Sequence, residues 1–237
     1  MLVSGGTSGI GLATAKRLVV EGGQVWVLGT TEQSVSTALG KLASPAAGGC
    51  VCDVSREDDV DAAVRQALDF LGRLDSVFVN AGIDGQDKPV LDLDPAHFRR
   101  VLEVNLVGAF LLARAAGRAM DGGAIVLNAS VNGLRAEPRF ADYNASKGGV
   151  VMLARTLARE LGESGFWVTA VCPGYVRTRM TAQYLAEADT AAELLAEIPA
   201  GRFGEPDEVA ALVSFLASHE ASYMNGSVVT IDGGRVA

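Results

Sequence analysis

The stretch that decides the fold is Ser4-Gly5-Gly6-Thr7-Ser8-Gly9-Ile10-Gly11, a glycine-rich turn near the start of the chain. It follows the short run Leu2–Ser4, which is typical of a buried strand, and leads into an amphipathic stretch. Gly5 permits a sharp turn, Gly9 lets backbone N–H groups approach an anion, and Gly11 lets a helix pack closely on the strand. A strand–turn–helix unit of this kind holds a pyrophosphate at the positive end of its helix. The turn therefore predicts a dinucleotide-binding loop.

Short apolar runs alternate with amphipathic stretches along the rest of the chain. The predicted strands are Leu2–Ser4, Gln24–Leu28, Gly49–Cys52, Ser76–Val79, Ala124–Asn128, Trp167–Val171 and Ser227–Ile231. They are near-continuous apolar runs rich in Val and Ile, which indicates strands buried on both faces. Helix-length segments between most of them imply right-handed crossovers. The pattern predicts an α/β fold with one doubly wound parallel sheet of about seven strands and helices on both faces.

The length and charge of the chain limit its partners. The chain has 237 residues, which suits one α/β domain, and a formal net charge of −8. An acidic chain without a basic face is a poor partner for nucleic acid or an anionic membrane, so a small molecule is expected instead. No apolar run approaches the roughly 20 residues of a membrane helix, and the start lacks the pattern of a signal peptide. Cys50, Cys52 and Cys172 lack paired spacing, which favours reduced thiols in the cytoplasm.

Residues 177–200 are acidic and alanine-rich, and they lie between a predicted strand end and the last predicted helix. This position favours a mobile substrate lid within a single domain that spans residues 1–237. An ordinary pair of surface helices is the alternative.

The end of the second strand bears on the choice of dinucleotide. An acidic residue there, about 20 residues past the glycine loop, would hold a ribose 2′-hydroxyl. Gly29 stands at that place, and Thr30-x-x-Gln33 matches a capping box that puts Glu32 in the first helical turn. Nothing then repels a 2′-phosphate, and Thr30 and Thr31 can donate hydrogen bonds to one, although neither loop contains Arg or Lys. Both NADP and NAD remain open, with a preference for NADP.

Tyr143 and Lys147 are four residues apart, on one face of a predicted helix. Ser130 follows the predicted strand Ala124–Asn128, at the carboxyl end of the sheet, where ligands bind in open α/β folds. A phenol titrates near about pH 10, so it acts as an acid or base only when a nearby cation lowers its pKa. Lys147, helped by an oxidised nicotinamide, is expected to supply that charge. Tyr143 would then exchange a proton with a substrate oxygen that Ser130 also binds.

Further motifs accompany this pair along the chain. They are Asp53-Val54, Asn80-Ala81-Gly82, Asn105, Pro173-Gly174-Tyr175-Val176-Arg177-Thr178 and Asp232-Gly233-Gly234. With the glycine loop, Ser130 and Tyr143-x-x-x-Lys147, they make the chain resemble the short-chain dehydrogenase/reductase family over essentially its whole length. Ser4 replaces the Thr that is more usual in the family, a change that keeps the hydroxyl.

The resemblance implies a Rossmann-type sheet, strand order 3-2-1-4-5-6-7 and a homo-oligomer, either a tetramer or a dimer. Helices like Pro95–Met120 and Ala141–Ser164 would pack across one subunit interface. By position, the catalytic residues are Asn105, Ser130, Tyr143 and Lys147. Asn105 would hold a water that links Lys147 to solvent, and Lys147 would also hydrogen-bond the nicotinamide ribose.

The loop, the second strand and the resemblance together predict the remaining site residues. The cofactor-binding residues are Ser4, Gly5, Thr7, Ser8, Gly9, Ile10, Gly11, Gly29, Thr30, Thr31, Asp53, Val54, Asn80, Ala81, Gly82, Tyr143, Lys147, Pro173, Gly174, Val176 and Thr178. The substrate residues are Ser130, Asn132, Leu134, Tyr143 and Tyr175, and the pocket is also expected to include Arg135, Glu137 and parts of Tyr184–Ile198. No metal site is expected, because the two histidines, His97 and His219, lack carboxylates at ligand spacing.

The favoured function is an oxidoreductase that transfers a hydride between NAD(P)(H) and a small or medium alcohol or ketone. An alternative is a 3-oxoacyl-carrier-protein reductase, which Arg202-Phe203-Gly204-Glu205-Pro206 resembles. Those enzymes dock an acidic carrier on basic residues before the fifth and sixth strands, where this chain has Gly122-Gly123-Ala124 and Ser164-Gly165-Phe166. Its net charge of −8 would repel that carrier. A second alternative, a non-catalytic NAD(P)-binding sensor or scaffold, is disfavoured because Tyr143 and Lys147 are both present.

Overall fold

Seven parallel strands form one sheet in the computed structural model, which describes residues 1–237. The strands are β1 (Leu2–Ser4), β2 (Val25–Gly29), β3 (Ala47–Val51), β4 (Ser76–Val79), β5 (Gly123–Asn128), β6 (Phe166–Pro173) and β7 (Val228–Ile231). Their spatial order is β3-β2-β1-β4-β5-β6-β7, so the direction of winding reverses between β1 and β4. This topology confirms the predicted doubly wound fold, and it opens a crevice at the carboxyl ends of the strands.

Nine α-helices flank the sheet. They are α1 (Gly9–Val20), α2 (Glu32–Leu42), α3 (Glu57–Leu71), α4 (Pro95–Leu102), α5 (Gly108–Ala119), α6 (Ala141–Leu161), α7 (Ala182–Ala186), α8 (Ala188–Ala196) and α9 (Pro206–Ala217). α1, α2 and α9 cover one face of the sheet, and α3, α5 and α6 cover the other. None of these helices is both long enough and apolar enough to cross a lipid bilayer.

Successive residues of β5 show why the strands read as continuous apolar runs. Ile125 and Leu127 pack in the layer under α3, α5 and α6, whereas Ala124 and Val126 pack in the layer under α1 and α9. Side chains alternate between the two faces of a strand, so both sets must be apolar when both faces are covered. All four side chains are fully buried.

The segment predicted as one helix, Pro95–Met120, is interrupted in the structure. A π-helical turn, Glu103–Val107, separates α4 from α5. Asn105 lies in this turn, and its side chain bonds both polar backbone groups of Ile83: Oδ1 accepts from N at 2.8 Å, and Nδ2 donates to O at 3.0 Å. Turns of this type insert one residue and often occur at functional sites. The prediction of a continuous helix is therefore wrong, because apolar periodicity does not report a contact with a distant loop.

The cap of α2 also differs from the sequence prediction by one residue. Thr31, not Thr30, caps the helix, and its partner is Ser34, not Gln33. Thr31 Oγ1 accepts a hydrogen bond from Ser34 N at 3.1 Å, and Thr31 N donates to Ser34 Oγ at 3.3 Å. β2 extends to Gly29, where it pairs with Val51 of β3, and this register sets where the turn begins. Thr30 is therefore exposed and free of the cap.

Ser4 ties β1 to β4 beneath the glycine loop. Its side chain is fully buried, and its Oγ accepts hydrogen bonds from Asn80 N at 2.9 Å and Ala81 N at 3.0 Å. The same hydroxyl donates to Phe78 O at 3.4 Å. Ser4, predicted as a cofactor residue, thus holds the end of β4 against the start of the glycine loop, because its hydroxyl accepts hydrogen bonds from two backbone N–H groups there.

We expect Ser4→Ala to lower the free energy of unfolding by about 2 kcal/mol, because it leaves two backbone N–H groups without their acceptor. Urea unfolding followed by circular dichroism measures this loss. Ser4→Thr is the matched control: it keeps the hydroxyl and is expected to be more stable than the Ala variant. Equal stability of Ser4→Ala and the parent protein would contradict the assigned role of the hydroxyl.

Candidate active site

The candidate site lies at the carboxyl ends of β4, β5 and β6, where α6 begins. The segment Asn80-Ala81-Gly82 follows β4, and Ser130 follows β5. Tyr143 and Lys147 lie in the first two turns of α6, and Asn105 approaches from the π-helical turn. The structure therefore brings together, at one edge of the sheet, residues that are far apart in the sequence.

A row of hydrogen bonds crosses this edge from the glycine loop to the lysine. Asn80 Nδ2 donates to Ser4 O at 2.9 Å, and Asn128 Nδ2 donates to Asn80 Oδ1 at 2.8 Å. Lys147 Nζ then donates to Asn128 O at 2.8 Å. The row joins β1, β4, β5 and α6, so the position of the ammonium group is set relative to the loop.

Tyr143 and Lys147 lie close together inside the protein. Lys147 is 4% exposed, and its Nζ lies 5.6 Å from the centre of the Tyr143 ring. Burial disfavours the charged form of each side chain, so it lowers the pKa of Lys147 to about 8 and raises the pKa of Tyr143. The carboxylate of Asp84 adds to the rise at Tyr143. The sequence predicts that Lys147 and an oxidised nicotinamide lower the pKa of Tyr143. Burial acts in the opposite direction, and the effect of the bound nicotinamide stays a prediction.

Ser130 is fixed beside Tyr143 by a short 3₁₀ turn, Val131–Gly133. Its Oγ caps that turn by accepting a hydrogen bond from Asn132 N at 3.1 Å. The turn lies directly on α6, because a Cβ added to Gly133 would be 2.7 Å from Lys147 O. A hydrogen bond from Ser130 acts against burial and limits the rise in the pKa of Tyr143. Both hydroxyl groups can therefore contact one substrate oxygen.

Asn105 holds the segment after β4 against α6. Besides its two bonds to Ile83, its Nδ2 donates to Ser146 Oγ at 3.1 Å. A Cβ added to Gly82 would be 3.1 Å from Asn105 Oδ1 and 3.6 Å from Lys147 Nζ. The side-chain amide of Asn105 is thus occupied by bonds within the protein. If Asn105 binds the predicted relay water, its backbone groups would have to hold that water.

The glycine loop has the geometry of an anion site. Gly9 has φ of +49°, and α1 starts there with no side chain capping its N-terminus, so the first N–H groups of the helix can bind a ligand. A Cβ added to Gly11 would be 2.3 Å from Gly5 O, so only glycine permits this close turn. The free donors and the open cradle fit the diphosphate of a dinucleotide.

The other predicted cofactor residues follow the same edge of the sheet. Thr178 lies next to Gly9, whose added Cβ would be 3.4 Å from Thr178 Cγ2. Asp53 follows β3, accepts hydrogen bonds from Ser55, and has a lowered pKa because of those bonds. Val54 is buried and packs against the start of α5, so it offers a ligand its backbone. A cavity of about 620 Å³ between α1, α7 and α9 includes Gly9 and Thr178 in its wall but none of the predicted catalytic side chains.

The other predicted substrate residues, Asn132, Leu134 and Tyr175, lie around the opening of the site, which we call the rim. Asn132 Nδ2 donates to Asn144 Oδ1 at 3.2 Å, and Leu134 is 44% exposed. Tyr175 lies against Arg235, whose guanidinium carbon is 4.7 Å from the ring centre. Arg235 is almost fully buried between Glu137 and Glu197, an arrangement that joins the C-terminus to two sides of the rim.

Residues 177–200 form α7 and α8, and neither helix contains a buried residue. Tyr184 of α7 reaches across the rim: its hydroxyl donates to Asp84 Oδ2 at 2.9 Å, and its ring packs edge-on against Phe140, with ring centres 6.2 Å apart. The segment is thus a pair of surface helices, and its role as a lid stays a prediction. Asp84 was missed from the sequence, although an acidic residue two positions after Asn80-Ala81-Gly82 was a visible signal.

Comparisons with known proteins agree with this geometry. Residues 5–235 match the family model described as Enoyl-(Acyl carrier protein) reductase. Levodione reductase of Leifsonia aquatica is 36% identical over 250 residues, covering 100% of this chain and 94% of that protein. The 3-oxoacyl-acyl-carrier-protein reductase MabA of Mycobacterium tuberculosis is 38% identical over 237 residues, covering 99% and 91%.

Solved structures match over the same extent. The crystal structure of levodione reductase has a TM-score of 0.93 at 36% identity, covering 99% of this chain and 96% of that one. A short-chain type dehydrogenase/reductase from Mycobacterium ulcerans has a TM-score of 0.95 at 30% identity, covering 99% and 88%. The chain belongs to the short-chain dehydrogenase/reductase family, and it is an NAD(P)-dependent oxidoreductase that acts on CH–OH or C=O groups.

Proposed function

We propose that the enzyme interconverts a small or medium ketone and its alcohol, with Tyr143 as the proton donor and acceptor. The observation that supports this most is the convergence of Tyr143, Ser130 and Lys147 at one edge of the sheet. The bound nicotinamide dinucleotide would supply or accept the hydride. Levodione reductase, which is similar over the whole chain, is named for a reduction of this class.

Each catalytic side chain has a distinct part in the proton transfer. The Ser130 hydroxyl orients the substrate oxygen, and the Tyr143 hydroxyl gives it a proton during reduction. The buried ammonium of Lys147 stabilises the phenolate that remains, at a depth where water screens charges poorly. Asn105 keeps the π-helical turn and α6 in register, and a water at its backbone would return the proton to Tyr143 through Lys147. The residues that would hold the dinucleotide are those predicted from the sequence, from the glycine loop to Thr178.

We propose NADP(H) as the preferred dinucleotide. Gly29 ends β2 without a carboxylate, and the exposed Thr30 is free of the α2 cap and can donate to a 2′-phosphate. The absence of Arg and Lys beside Thr30 limits the strength of that preference.

A 3-oxoacyl-carrier-protein reductase is the second candidate, because MabA is similar over 99% of this chain. The turns before β5 and β6 weigh against it, since Gly122-Gly123 and Ser164-Gly165 offer no basic side chain to an acidic carrier. An inactive sensor or scaffold has the least support, since no catalytic residue is replaced.

Three broader features belong to the same proposal. Residues 177–200 act as a substrate lid on a single domain, a role that Tyr184 supports by spanning the rim. The exposed Phe110 and Met152, on α5 and α6, suit a subunit interface of a homotetramer or dimer. The three free cysteines suit the cytoplasm.

We expect Tyr143→Phe to lower kcat at least about 100-fold, because the phenyl ring keeps the packing but has no proton to transfer. Steady-state reduction of a ketone panel with NADPH measures the loss. Fluorescence titration with NADPH serves as the control and should give a nearly unchanged Kd. A near-normal kcat in this variant would contradict the role of Tyr143.

The pH dependence of cofactor capture should follow Lys147. Its lowered pKa means that the ammonium form predominates below about pH 8, is half lost near that pH, and disappears as the pH rises further. We expect kcat/KM for NADPH, which reports ionisations of the free enzyme, to be level below that pH and to fall about tenfold per unit above it. Lys147→Arg, whose side chain stays charged, should remove this fall in any residual activity. A level profile up to about pH 10 would contradict the prediction.

We expect Gly29→Asp to lower the NADPH/NADH ratio of kcat/KM at least about tenfold, since a carboxylate binds a ribose 2′-hydroxyl and repels a 2′-phosphate. Any side chain here must displace Thr7, because an added Cβ would be 2.5 Å from Thr7 Cγ2. Gly29→Ala therefore measures the steric effect alone, and it should affect both dinucleotides alike. An unchanged ratio in Gly29→Asp would show that Gly29 does not face the ribose.

A further inference from the structure

Asp84 holds a carboxylate within the catalytic edge, on a segment that is packed tightly against α6. A Cβ added to the neighbouring Gly85 would be 2.5 Å from Asp142 Oδ1 and 3.1 Å from Tyr143 Cβ. The next residue, Gln86, donates its N–H to Asp142 Oδ2 at 3.0 Å. The backbone that carries Asp84 is thus fixed on the turn of α6 that carries the catalytic tyrosine.

The carboxylate of Asp84 faces tyrosines and lacks an ion pair. It accepts hydrogen bonds from Gly85 N at 2.9 Å and Tyr184 OH at 2.9 Å. Its negative charge contributes to the raised pKa values of Tyr143, Tyr175 and Tyr184, in addition to the larger effect of burial. Burial raises its own pKa.

The cations of the rim are committed to other groups. Arg235 pairs with Glu137 and Glu197, and Arg139 pairs with Asp87. His97 lies 3.5 Å from the buried Asp142, and Lys147 donates to a backbone carbonyl. Asp84 itself forms no salt bridge; burial raises its pKa, and the charge of His97 opposes that rise.

We infer that Asp84 is a specificity-determining residue that contacts the substrate. Its carboxylate accepts a hydrogen bond from a hydroxyl or ammonium group on a carbon near the reacting carbonyl, and it rejects ketones that carry an acid group there. This inference rests on the proposed function, and it narrows the substrate class to hydroxylated or amino-bearing ketones and the corresponding alcohols.

The chemistry follows from the cost of burying charge. A half-buried carboxylate without a cation needs donors, and it loses stability when a second negative charge enters the same site. In this structure the hydroxyl of Tyr184, in the predicted lid, donates one hydrogen bond to Asp84. A substrate hydroxyl offers the same kind of donor, so it can replace or join Tyr184 at Asp84 Oδ2, whereas a carboxylate offers only repulsion.

The test compares three ketones of similar size: butan-2-one, 3-hydroxybutan-2-one and 3-oxobutanoate. We expect the parent enzyme to prefer the hydroxyketone over the ketoacid in kcat/KM, and Asp84→Asn to reduce that preference at least about tenfold. Asparagine keeps the size of the side chain and an acceptor for Tyr184, so only the charge is removed. Butan-2-one, which has neither group, reports any general effect on catalysis.

Two control variants isolate the charge of Asp84. Asp92→Asn removes an exposed carboxylate that lies eight residues along the chain and forms no salt bridge, and it should leave the preference within about twofold of the parent. Tyr184→Phe removes the lid hydrogen bond but keeps the Asp84 charge, so it should retain the preference for the hydroxyketone even if KM changes.

Two outcomes would overturn the inference alone. In the first, Asp84→Asn leaves the ratio of hydroxyketone to ketoacid unchanged. In the second, it lowers kcat equally for all three ketones, as a residue acting only on Tyr143 would. If the parent enzyme reduces none of these ketones and none in a wider panel, the proposed function and this inference fail together.

Discussion

The hydrogen-bonded row from Ser4 through Asn80 and Asn128 to Lys147 is the constraint on which the site depends. Parallel strands end at one edge of a sheet, but they leave backbone donors and acceptors there without strand partners. Here the side chains of Ser4, Asn80 and Lys147 satisfy those groups, and the amide of Asn128 links to the side chain of Asn80. The same bonds fix the distance between the glycine loop and the ammonium group of Lys147, for which a catalytic role is proposed. Structural and chemical requirements are thus met by the same atoms.

Local patterns in the sequence account for the elements and the motif residues of the site. The apolar runs predict the strands, and the spacing of Tyr143 and Lys147 predicts a shared helix face. Contacts between distant segments account for what the sequence did not predict. Arg235 meets Glu137 across 98 positions, and Asp84 meets Tyr184 across 100, so no local pattern records either contact. The pKa of Tyr143 belongs with these cases, because it depends on burial by the whole fold.

Most charged side chains around the site form salt bridges, but Asp84 does not. Arg235 pairs with Glu137 and Glu197 and lies over the Tyr175 ring, and Arg135 also pairs with Glu197, so two positive charges balance two negative ones in this cluster. Asp84 belongs to the segment after β4 that packs against Tyr143, and its hydrogen-bond donors are neutral. On the proposed function, a substrate that reaches Tyr143 would meet the negative charge of Asp84, although several arginines are nearby. Counting charges by sequence would miss this, because the arginines are already paired.

The π-helical turn at Glu103–Val107 has a consequence for the helices on either side of it. α4 packs on α6, whereas α5 packs on α3 and the sheet. One inserted residue rotates everything after it by about 100° around the helix axis, since an α-helix has about 3.6 residues per turn. An uninterrupted α-helix would have one apolar face along its whole length and would pack on one neighbour. Because of this rotation, the apolar face of α4 and that of α5 point in different directions and pack on different neighbours. Asn105 points inward at the turn where the direction changes.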